Sequence, residues 1–397
     1  MKSKIIYFFF VCFSCFSMQK PLPVKSIISS SNKFGLSLLQ QIPDEKTVLI
    51  SPFSLTASLY MLYLGSEGKT EAEVKKVLGI KVEKNILATS FHDWSKMILQ
   101  KNQDCSFFLA NGMWAEKTTP ILPSYSRLLN DEFHAKIQNV NFLNKPYENL
   151  QDINYWIAQK TDFEIDNLVS KQDVSFDTKI LLGNALSFKG NWELGFDREL
   201  TKPSPFFTDK NKQVYVEMMH QVHEFPFFEN NELAAIALPL SCETTTNQLS
   251  LLFILPKNFA SFSVDEKKIL KVLSNLKPQI IDVKIPKIVL LEKYNLNNEL
   301  NNLGMNNAYS RVANFSSING KVDLFLSEVL HGASLSLNEY GIDTSLENSS
   351  SINLQSFEHQ PNNSFLVNKP FFVLLMEMKS KSIVMIGKIA EPPPTIR

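Results

Sequence analysis

The chain has 397 residues, of which 44% are apolar and 20% are charged. This composition is enough for a sizeable hydrophobic core and excludes a chain that is disordered throughout. The 40 lysine and arginine residues balance the 40 aspartate and glutamate residues, so the formal net charge is zero. The overall charge therefore gives no support to nucleic acid or a membrane surface as a partner.

Residues 1–17 have the pattern of a cleaved secretory signal peptide. Lys2 and Lys4 precede an apolar run over residues 5–16, which is too short to span a bilayer comfortably, and the small residue Ser17 follows. The alternative is a buried N-terminal helix. A signal peptide predicts that the protein is secreted and extracellular, and that its folded part begins at residue 18.

Two of the four cysteines, Cys12 and Cys15, lie in this signal-like segment, which leaves Cys105 and Cys242 in the folded part. An oxidising compartment would permit a disulfide between them. Their places in the sequence give no geometric support for pairing, so a disulfide and two free thiols both stay open.

Residues 29–180 are predicted to be mostly helical. Residues 54–64 form a strongly apolar run, and Leu150, Ile153 and Ile157 recur at helical spacing. After residue 180 the sequence predicts strands at residues 179–188, 249–255, 283–289, 371–376 and 382–389.

Several of these runs are almost continuously apolar, which is typical of strands covered on both faces. Residues 378–381 would connect the last two strands as a hairpin. Helices early and strands late predict an α+β fold. No linker rich in proline and glycine divides the chain, so residues 18–397 are predicted to form one domain.

Three N-x-S triplets make Asn314, Asn348 and Asn362 candidates for N-glycosylation. A glycan is bulky and polar, so it has to stay outside the protein core. Such triplets also arise often by chance, which is the competing explanation.

No pattern of catalytic residues stands out. Residues 65–70 (GSEGKT) end like a phosphate-binding loop, but Tyr63 stands where the motif needs a glycine. His220 and His223 are three residues apart without a third ligand, so a zinc site is the weaker interpretation. Nucleophile-elbow and zinc-protease motifs are absent. We therefore expect no enzymatic activity, no metal and no cofactor.

Six segments along the chain form a recognisable series: ISPF at residues 50–53, INYWIAQKT at 153–161, NALSFKGNWELGF at 184–196, VLHGASLSLNEYG at 329–341, NKPF at 368–371 and GKIAEP at 387–392. In sequence and in order they resemble the serpin family of serine protease inhibitors. The resemblance covers roughly residues 30–392. It implies an α+β serpin fold, in which a helical N-terminal part packs on three β-sheets and a reactive-centre loop at about residues 339–365 is exposed.

The resemblance also assigns roles to polar residues of the interior. Asn184 and His331 match a hydrogen-bonded pair beneath the central sheet of serpins, and Ser51 and Ser54 are expected nearby. We name these four residues the shutter, because the resemblance implies that they let the sheet open. The competing explanation is that the buried polar groups only satisfy each other. Trp192 matches the tryptophan at the top of the sheet, the breach, and also fits an ordinary core aromatic.

The segment GIDTSLENSSSINLQSFEHQP, residues 341–361, is polar and yet alternates like a strand. Within residues 342–354, the apolar residues and one threonine share one parity, namely Ile342, Thr344, Leu346, Ile352 and Leu354. Period two is typical of a half-buried strand. In serpins this loop is exposed as bait and enters the large sheet as a new strand after cleavage, so the pattern fits both states.

The resemblance implies a secreted suicide-substrate inhibitor that acts as a monomer. A target serine protease would form an acyl-enzyme with the loop, and insertion of the cleaved loop would trap it in a covalent complex. The hinge of the loop, which we define as Glu339, Gly341, Ile342 and Thr344, departs from inhibitory serpins, because these usually have Thr or Ser after the glycine. The alternative is a non-inhibitory serpin, either a carrier of a small apolar ligand or a protease substrate without trapping.

Spacing from the hinge glycine, counted as in the family, places the reactive bond between Gln355 and Ser356. Leu354 or Phe357 would serve instead if the register slips. Residues 90–101, where serpins place a heparin-binding helix, contain only two lysines and no basic cluster. Heparin is therefore not expected as a partner.

Overall fold

The computed structural model describes residues 23–100, 104–208, 212–242, 248–342, 361 and 363–392. The signal-like segment lies outside these residues. Within them, most of the helices precede residue 161, as the sequence predicts. The helices are α1 (Pro23–Leu39), α2 (Pro52–Gly65), α3 (Gly68–Leu78), α4 (Lys84–Ile98), α5 (Pro123–Phe133), α6 (Leu150–Lys160), α7 (Glu266–Asn275), α8 (Asn297–Asn302) and α9 (Ser316–Asn319).

Strands dominate the later part of the chain. The strands are β1 (Val48–Ile50), β2 (Cys105–Glu116), β3 (Lys136–Val140), β4 (Ile180–Asn191), β5 (Lys202–Phe207), β6 (Gln213–Glu229), β7 (Leu233–Pro239), β8 (Leu249–Pro256), β9 (Lys277–Pro286), β10 (Ile288–Asn295), β11 (Leu326–Leu337), β12 (Gly341–Ile342), β13 (Asn363–Leu366), β14 (Phe371–Glu377) and β15 (Ser382–Ile389). β14 and β15 pair antiparallel as the predicted hairpin.

The described strands form two hydrogen-bonded networks, and the α+β fold is confirmed. One is a six-stranded sheet in the order β10, β11, β12, β4, β2, β3, and the other nine strands form the second network. The resemblance implied three sheets. The second network combines two of them, because the 17-residue strand β6 pairs with β9 along much of its length and with β7 at its end.

Two predictions of local structure are wrong. Strand β2 lies in the region that was predicted to be mostly helical, and its last seven residues are all buried, so its sequence lacks the alternation of a half-exposed strand. The segment at residues 283–289 is not one strand, because β9 ends at Pro286 and β10 begins at Ile288. At Lys287, between them, the chain passes from the second network to the six-stranded sheet.

Helix α2 is buried along almost its whole length. All of its residues except Leu64 are buried, as expected for a helix that is apolar on every face. The hydroxyl of Ser51 caps its N-terminus by accepting a hydrogen bond from the amide of Ser54 (3.1 Å), and Pro52 occupies the first turn. The same hydroxyl donates to the carbonyl of Val384 in β15 (2.7 Å). The start of α2 is therefore fixed to the second network.

The structure gathers the four shutter residues into one buried cluster between α2 and the six-stranded sheet. The Ser54 hydroxyl donates to Oδ1 of Asn184 in β4 (2.7 Å), and Nδ1 of His331 in β11 lies 2.9 Å from the same oxygen. The amide of Ser51 donates to Nε2 of His331 (3.0 Å). Because Nε2 accepts a hydrogen bond, the proton of the neutral ring is on Nδ1, which donates to Asn184.

Burial lowers the pKa of His331 from 6.5 to about 3, while its contact with Asn184 acts in the opposite direction. A second proton, on Nε2, would face the Ser51 amide, which is itself a donor. The positive charge would also lie away from water. His331 is therefore held neutral in the folded protein.

We expect acid to destabilise the protein through His331. The unfolded state takes up the proton near pH 6.5 and the folded state only near pH 3, so stability is lost as the pH falls between these values. Lowering the pH from 7.5 to 5.5 should cost about 1.4 kcal/mol of unfolding free energy at this residue. Urea titrations of the wild type and His331→Gln at both pH values measure this difference.

The variant should lose less stability on acidification than the wild type by this amount. His134→Asn changes an exposed histidine in the left-handed conformation that asparagine tolerates, so it should keep the pH dependence of the wild type. An equal pH dependence of His331→Gln and the wild type would contradict a neutral, buried His331.

Candidate functional site at the top of the six-stranded sheet

The beginning of the loop is already a strand of the six-stranded sheet. Strand β12 lies between β4 and β11 and pairs antiparallel with both. Ile342 is opposite Gly190 on one side and Leu337 on the other, and its side chain is fully buried. The described part of the hinge therefore occupies the position where an inserted loop would enter.

Below β12, strands β4 and β11 pair directly with each other in parallel. We name this pairing, of residues 180–187 with residues 326–334, the seam. Asn184 and His331 are opposite each other within it. Any extension of β12 would have to run along the seam and separate these two side chains.

Gly341 is the residue type that the hinge backbone requires. Its φ of 155° is rare for a residue with a side chain, and a Cβ here would overlap the carbonyl oxygen of Gly190. The amides of Tyr340 and Gly341 donate to Oδ1 of Asn338 (2.8 and 3.2 Å). The side chain of Asn338 thus closes the turn from β11 into β12, a role that sequence reasoning missed.

Trp192 lies against this turn. Its indole Nε1 donates to the carbonyl of Asn338 (2.9 Å), and its amide donates to the carbonyl of Tyr340 (2.9 Å). Trp192 also forms an isolated bridge with Leu240, and its ring contacts that of Phe196 at 6.0 Å between centroids. Trp192 thus contacts both the turn that precedes β12 and the core.

Glu339 is a buried carboxylate with a lysine partner. Its two oxygens lie 3.1 and 3.0 Å from Nζ of Lys287. Burial by itself would raise the pKa of Glu339, but hydrogen bonds and the charge of Lys287 outweigh it and hold the pKa below the usual 4.5. Sequence reasoning missed Lys287, because its contact with Glu339 spans 52 positions of the chain.

A disulfide closes the same end of the sheet. Cys105, the first residue of β2, is bonded to Cys242, which follows β7, and their Cα atoms are 5.5 Å apart. Both cysteines are buried, and Cys105 pairs with Gly190, the residue opposite Ile342. Of the two alternatives that the sequence left open, the structure has the disulfide.

The structure describes only some of the remaining candidate residues. Thr344, the reactive bond Gln355–Ser356, and the sequons at Asn348 and Asn362 lie outside the described residues, so they stay predictions. Asn314 is half-buried, and its Oδ1 accepts a hydrogen bond from the amide of Ser316 (3.1 Å). Its glycosylation stays a prediction as well.

The chemistry of this site is that of strand pairing. Among the described residues, no group of three or more His, Cys, Asp and Glu side chains is placed to hold a metal ion. Nε2 of His220 lies 2.7 Å from Oδ1 of Asp282, a hydrogen-bond contact within the second network. No described helix is long and apolar enough to cross a membrane. The site consists of the backbone groups of the parallel strands β4 and β11, which are separated at one end by β12.

Several curated proteins similar to this chain are inhibitors by name. Intracellular coagulation inhibitor 2 of Tachypleus tridentatus is 30% identical over 376 residues, which cover 92% of this chain and 91% of that protein. The leukocyte elastase inhibitor of Sus scrofa is 28% identical and matches 93% of this chain and 100% of its own length.

Solved structures show the same fold. Human thyroxine-binding globulin in complex with thyroxine superimposes with a TM-score of 0.83 at 23% identity, over 94% of this chain and 100% of that one. Uncleaved ovalbumin superimposes with a TM-score of 0.82 at 24% identity, over 92% and 100%. At these identities the likeness is evidence for the fold alone.

The expectation that the protein is secreted and extracellular is wrong. Two of the relatives that match more than nine-tenths of this chain are named intracellular coagulation inhibitors, both from Tachypleus tridentatus. We therefore withdraw the extracellular location that the N-terminal pattern predicted.

The family assignment rests on a match over almost the whole chain. The family model described as Serpin (serine protease inhibitor) covers residues 29–392. This span includes the seam, the shutter, Trp192 and the hinge. The chain belongs to the serpin family.

Proposed function

We propose that this serpin inhibits a serine protease by trapping it as an acyl-enzyme while the cleaved loop inserts into the seam. The observation that carries the proposal is the position of β12. The hinge already pairs with both strands that an inserted loop would join. A carrier or a simple substrate would need no strand at this position.

The bulk of Ile342 does not oppose this function, although inhibitory serpins usually have a smaller residue there. The side chain is fully buried in the main hydrophobic cluster, next to Gly190, which has no side chain to displace. Burying an isoleucine stabilises by about 1.5–3 kcal/mol. The residue that departs from the family pattern therefore helps to hold the first row of the inserted strand.

The register of β12 defines where further loop residues would lie if the strand were extended. Six positions beyond Ile342, Asn348 would come between Asn184 and His331. Its amide can both donate and accept, so it can bond both residues when they separate. Extension would then exchange one set of buried hydrogen bonds for another, which avoids the cost of unpaired polar groups.

A glycan on Asn348 is incompatible with this arrangement. Its hydroxyls would lose water, and its volume exceeds any void in a packed core. We therefore propose that an inhibitory form has Asn348 unmodified.

Apolar burial would drive the insertion. Leu346, Ile352 and Leu354 share the parity of Ile342, so an extended strand would turn them toward the core. Each would gain about 1.5–3 kcal/mol as an upper bound, and each new ladder hydrogen bond about 1 kcal/mol. About 13 residues would span roughly 43 Å, which would carry a tethered protease far from the place of cleavage.

The protease would supply the chemistry. Its serine would attack the carbonyl of Gln355, form an ester and release the amino group of Ser356. Distortion of the protease would then slow hydrolysis of the ester, since loss of one oxyanion-hole donor alone costs about 10²–10³ in rate. The serpin would act as a monomer, without heparin and without a catalytic group of its own.

We expect the full chain to form a complex with a serine protease that survives denaturing gel electrophoresis, because an acyl bond joins the two chains. Incubation with a panel of serine proteases and N-terminal sequencing of the released fragment measure this, and the fragment should begin at Ser356. A protease whose active-site serine has been blocked beforehand serves as control and should form no complex.

Other outcomes decide among the alternatives. Cleavage without a stable complex would contradict trapping and identify a substrate, whereas resistance to every protease would favour a carrier of a small apolar ligand. A fragment that begins after Leu354 or Phe357 would reject the proposed reactive bond and leave trapping intact.

Ile342→Arg should turn the inhibitor into a substrate. The guanidinium would be buried without a partner in the first row of the inserted strand, so extension would stop. Nicking the loop of the wild type should raise its Tm markedly, and the variant should not show this gain. Thermal unfolding of intact and nicked protein measures both.

Ile342→Val is the matched control, because it removes one methylene group and should cost only about 0.5–1.5 kcal/mol. This variant should keep the rise in Tm after nicking. If nicked wild type were no more stable than intact wild type, the loop would not insert and trapping would be ruled out.

Glu339→Gln should loosen the hinge at neutral pH, since Lys287 would lose its charged partner. We expect a loss of about 1–3 kcal/mol in unfolding free energy. Because the folded pKa is lowered, the contribution of Glu339 is present above pH 4.5 and disappears as the pH falls through the folded value. Wild type and variant should therefore converge in acid.

Urea titrations at pH 7 and at pH 3.5 test this convergence. Glu148→Gln, which breaks the exposed ion pair with Lys145, is the control and should stay close to the wild type at both pH values. A difference between wild type and Glu339→Gln that grows in acid would contradict a carboxylate stabilised in the folded state.

A further inference from the structure

We propose that the Cys105–Cys242 disulfide is a reversible modification site that fixes the upper end of β4 and β2 in the position that admits the hinge, so that reduction releases the hinge. The effect on the uncleaved protein follows from the fold alone. The consequence for protease trapping rests on the proposed function.

The disulfide lies in the same row of the sheet as the hinge. Cys105 pairs with Gly190, Gly190 with Ile342, and Ile342 with Leu337. A Cβ on Gly190 would lie 3.0 Å from Sγ of Cys105. Cys105, Cys242 and Ile342 also belong to one buried hydrophobic cluster. A shift of Cys105 would therefore move Gly190 and, through it, the hinge.

The disulfide joins two parts of the molecule that have to shift relative to each other when the seam opens. β2 pairs with β4 from Cys105 to Ala115, so the two strands move together. Cys242 follows Leu240, which bridges Trp192, and it lies beyond the end of β7 in the second network. The covalent link therefore ties the upper end of the β4–β2 pair to a different sheet.

The disulfide lies in the row of Ile342, where β4 does not have to move when the seam below opens. To admit a strand, β4 has to move away from β11 by about one further strand spacing, about 4.8 Å. In the row of Ile342 this space already exists, because β12 fills it. The disulfide thus fixes β4 at its open end and leaves the seam below free to part.

Without the disulfide, the open row is held by noncovalent contacts alone. Strand β12 has only two residues, so few backbone pairs resist its expulsion. Gly190 could then approach Leu337, close the seam upward and exclude Ile342. We therefore expect the hinge of the reduced protein to open more often.

Reduction is a thiol–disulfide exchange with a dithiol. A thiolate of the reductant attacks one sulfur and forms a mixed disulfide, and the other cysteine leaves as a thiolate. The second thiolate of the reductant then releases the remaining cysteine, the reductant becomes a disulfide, and Cys105 and Cys242 each take up a proton. Both cysteines are at most 3% exposed, so the exchange requires local opening and should be slow.

Hydrogen exchange of the uncleaved full chain tests the proposal. It compares untreated protein, protein reduced with dithiothreitol, and the double variant Cys105→Ala/Cys242→Val. Amides of residues 338–342 and 188–192 should exchange about tenfold faster in the last two samples, while β8 and β14 stay unchanged. Dithiothreitol should have no further effect on the double variant, which also controls for Cys12 and Cys15.

Three results would overturn the proposal. The first is equal protection of the hinge in untreated and reduced protein. The second is a similar acceleration in β8 and β14, which would make the disulfide a general stabiliser of the fold. The third is alkylation of both cysteines in untreated, denatured protein. If the double variant fails to fold, the comparison of reduced with untreated wild type still tests the proposal.

Trapping gives a separate readout. The number of serpin molecules consumed for each trapped protease should rise on reduction, because a released hinge starts insertion later. If no protease is trapped at all, the proposed function fails and the exchange data still judge the role of the disulfide.

Discussion

The parallel pairing of β4 with β11 is the constraint on which the rest of the structure depends. Parallel ladders are slightly less stable per residue than antiparallel ones, and parallel neighbours need a long connection. Two parallel neighbours also share one direction, so a strand between them has the same orientation to both, and β12 runs antiparallel to both. The seam is therefore a pairing that can be replaced by two better ones. The turn at Asn338 supplies the entering strand from the end of β11 itself.

The shutter places a polar cluster in the middle of this seam. Asn184 and His331 are fully buried, and the neutral ring of His331 has both nitrogens engaged, so the closed seam leaves neither group unsatisfied. Hydrogen bonds in the interior contribute only about 1 kcal/mol each but are costly to leave unmade. A seam centred on such groups stays closed until a strand arrives that can replace the bonds. If apolar residues stood in place of Asn184 and His331, the entering residue would not have to form hydrogen bonds.

Sequence reasoning found what local chemistry or family likeness could reveal. Several strands came from apolar runs, and the shutter and Trp192 came from the resemblance. What it missed depends on contacts between distant parts of the chain: Lys287 with Glu339, and the closure of the turn by Asn338. Strand β2 was missed because burial on both faces removes its period. The segment at residues 283–289 was read as one strand because only Lys287 separates the end of β9 from the start of β10.

Residues 161–170 cover the closed seam. A loop that inserts would have to displace this segment, so the strength of its contacts affects whether insertion can occur. The side chain of Ile165 lies over Gly332 of β11, 2.9 Å from where a Cβ would be. Asp162 and Glu164 form ion pairs with Lys189 in β4, and Asp166 forms one with Lys293 in β10. Such partly exposed pairs contribute only about 0.2–1 kcal/mol each. In the register of β12, Asp343 would lie opposite Lys189 and could take the place of its present carboxylate partners. Asp343 would then replace an ion pair that holds residues 161–170 over the sheet. Extension of β12 by this one residue would therefore loosen the segment that covers the path of the next residue.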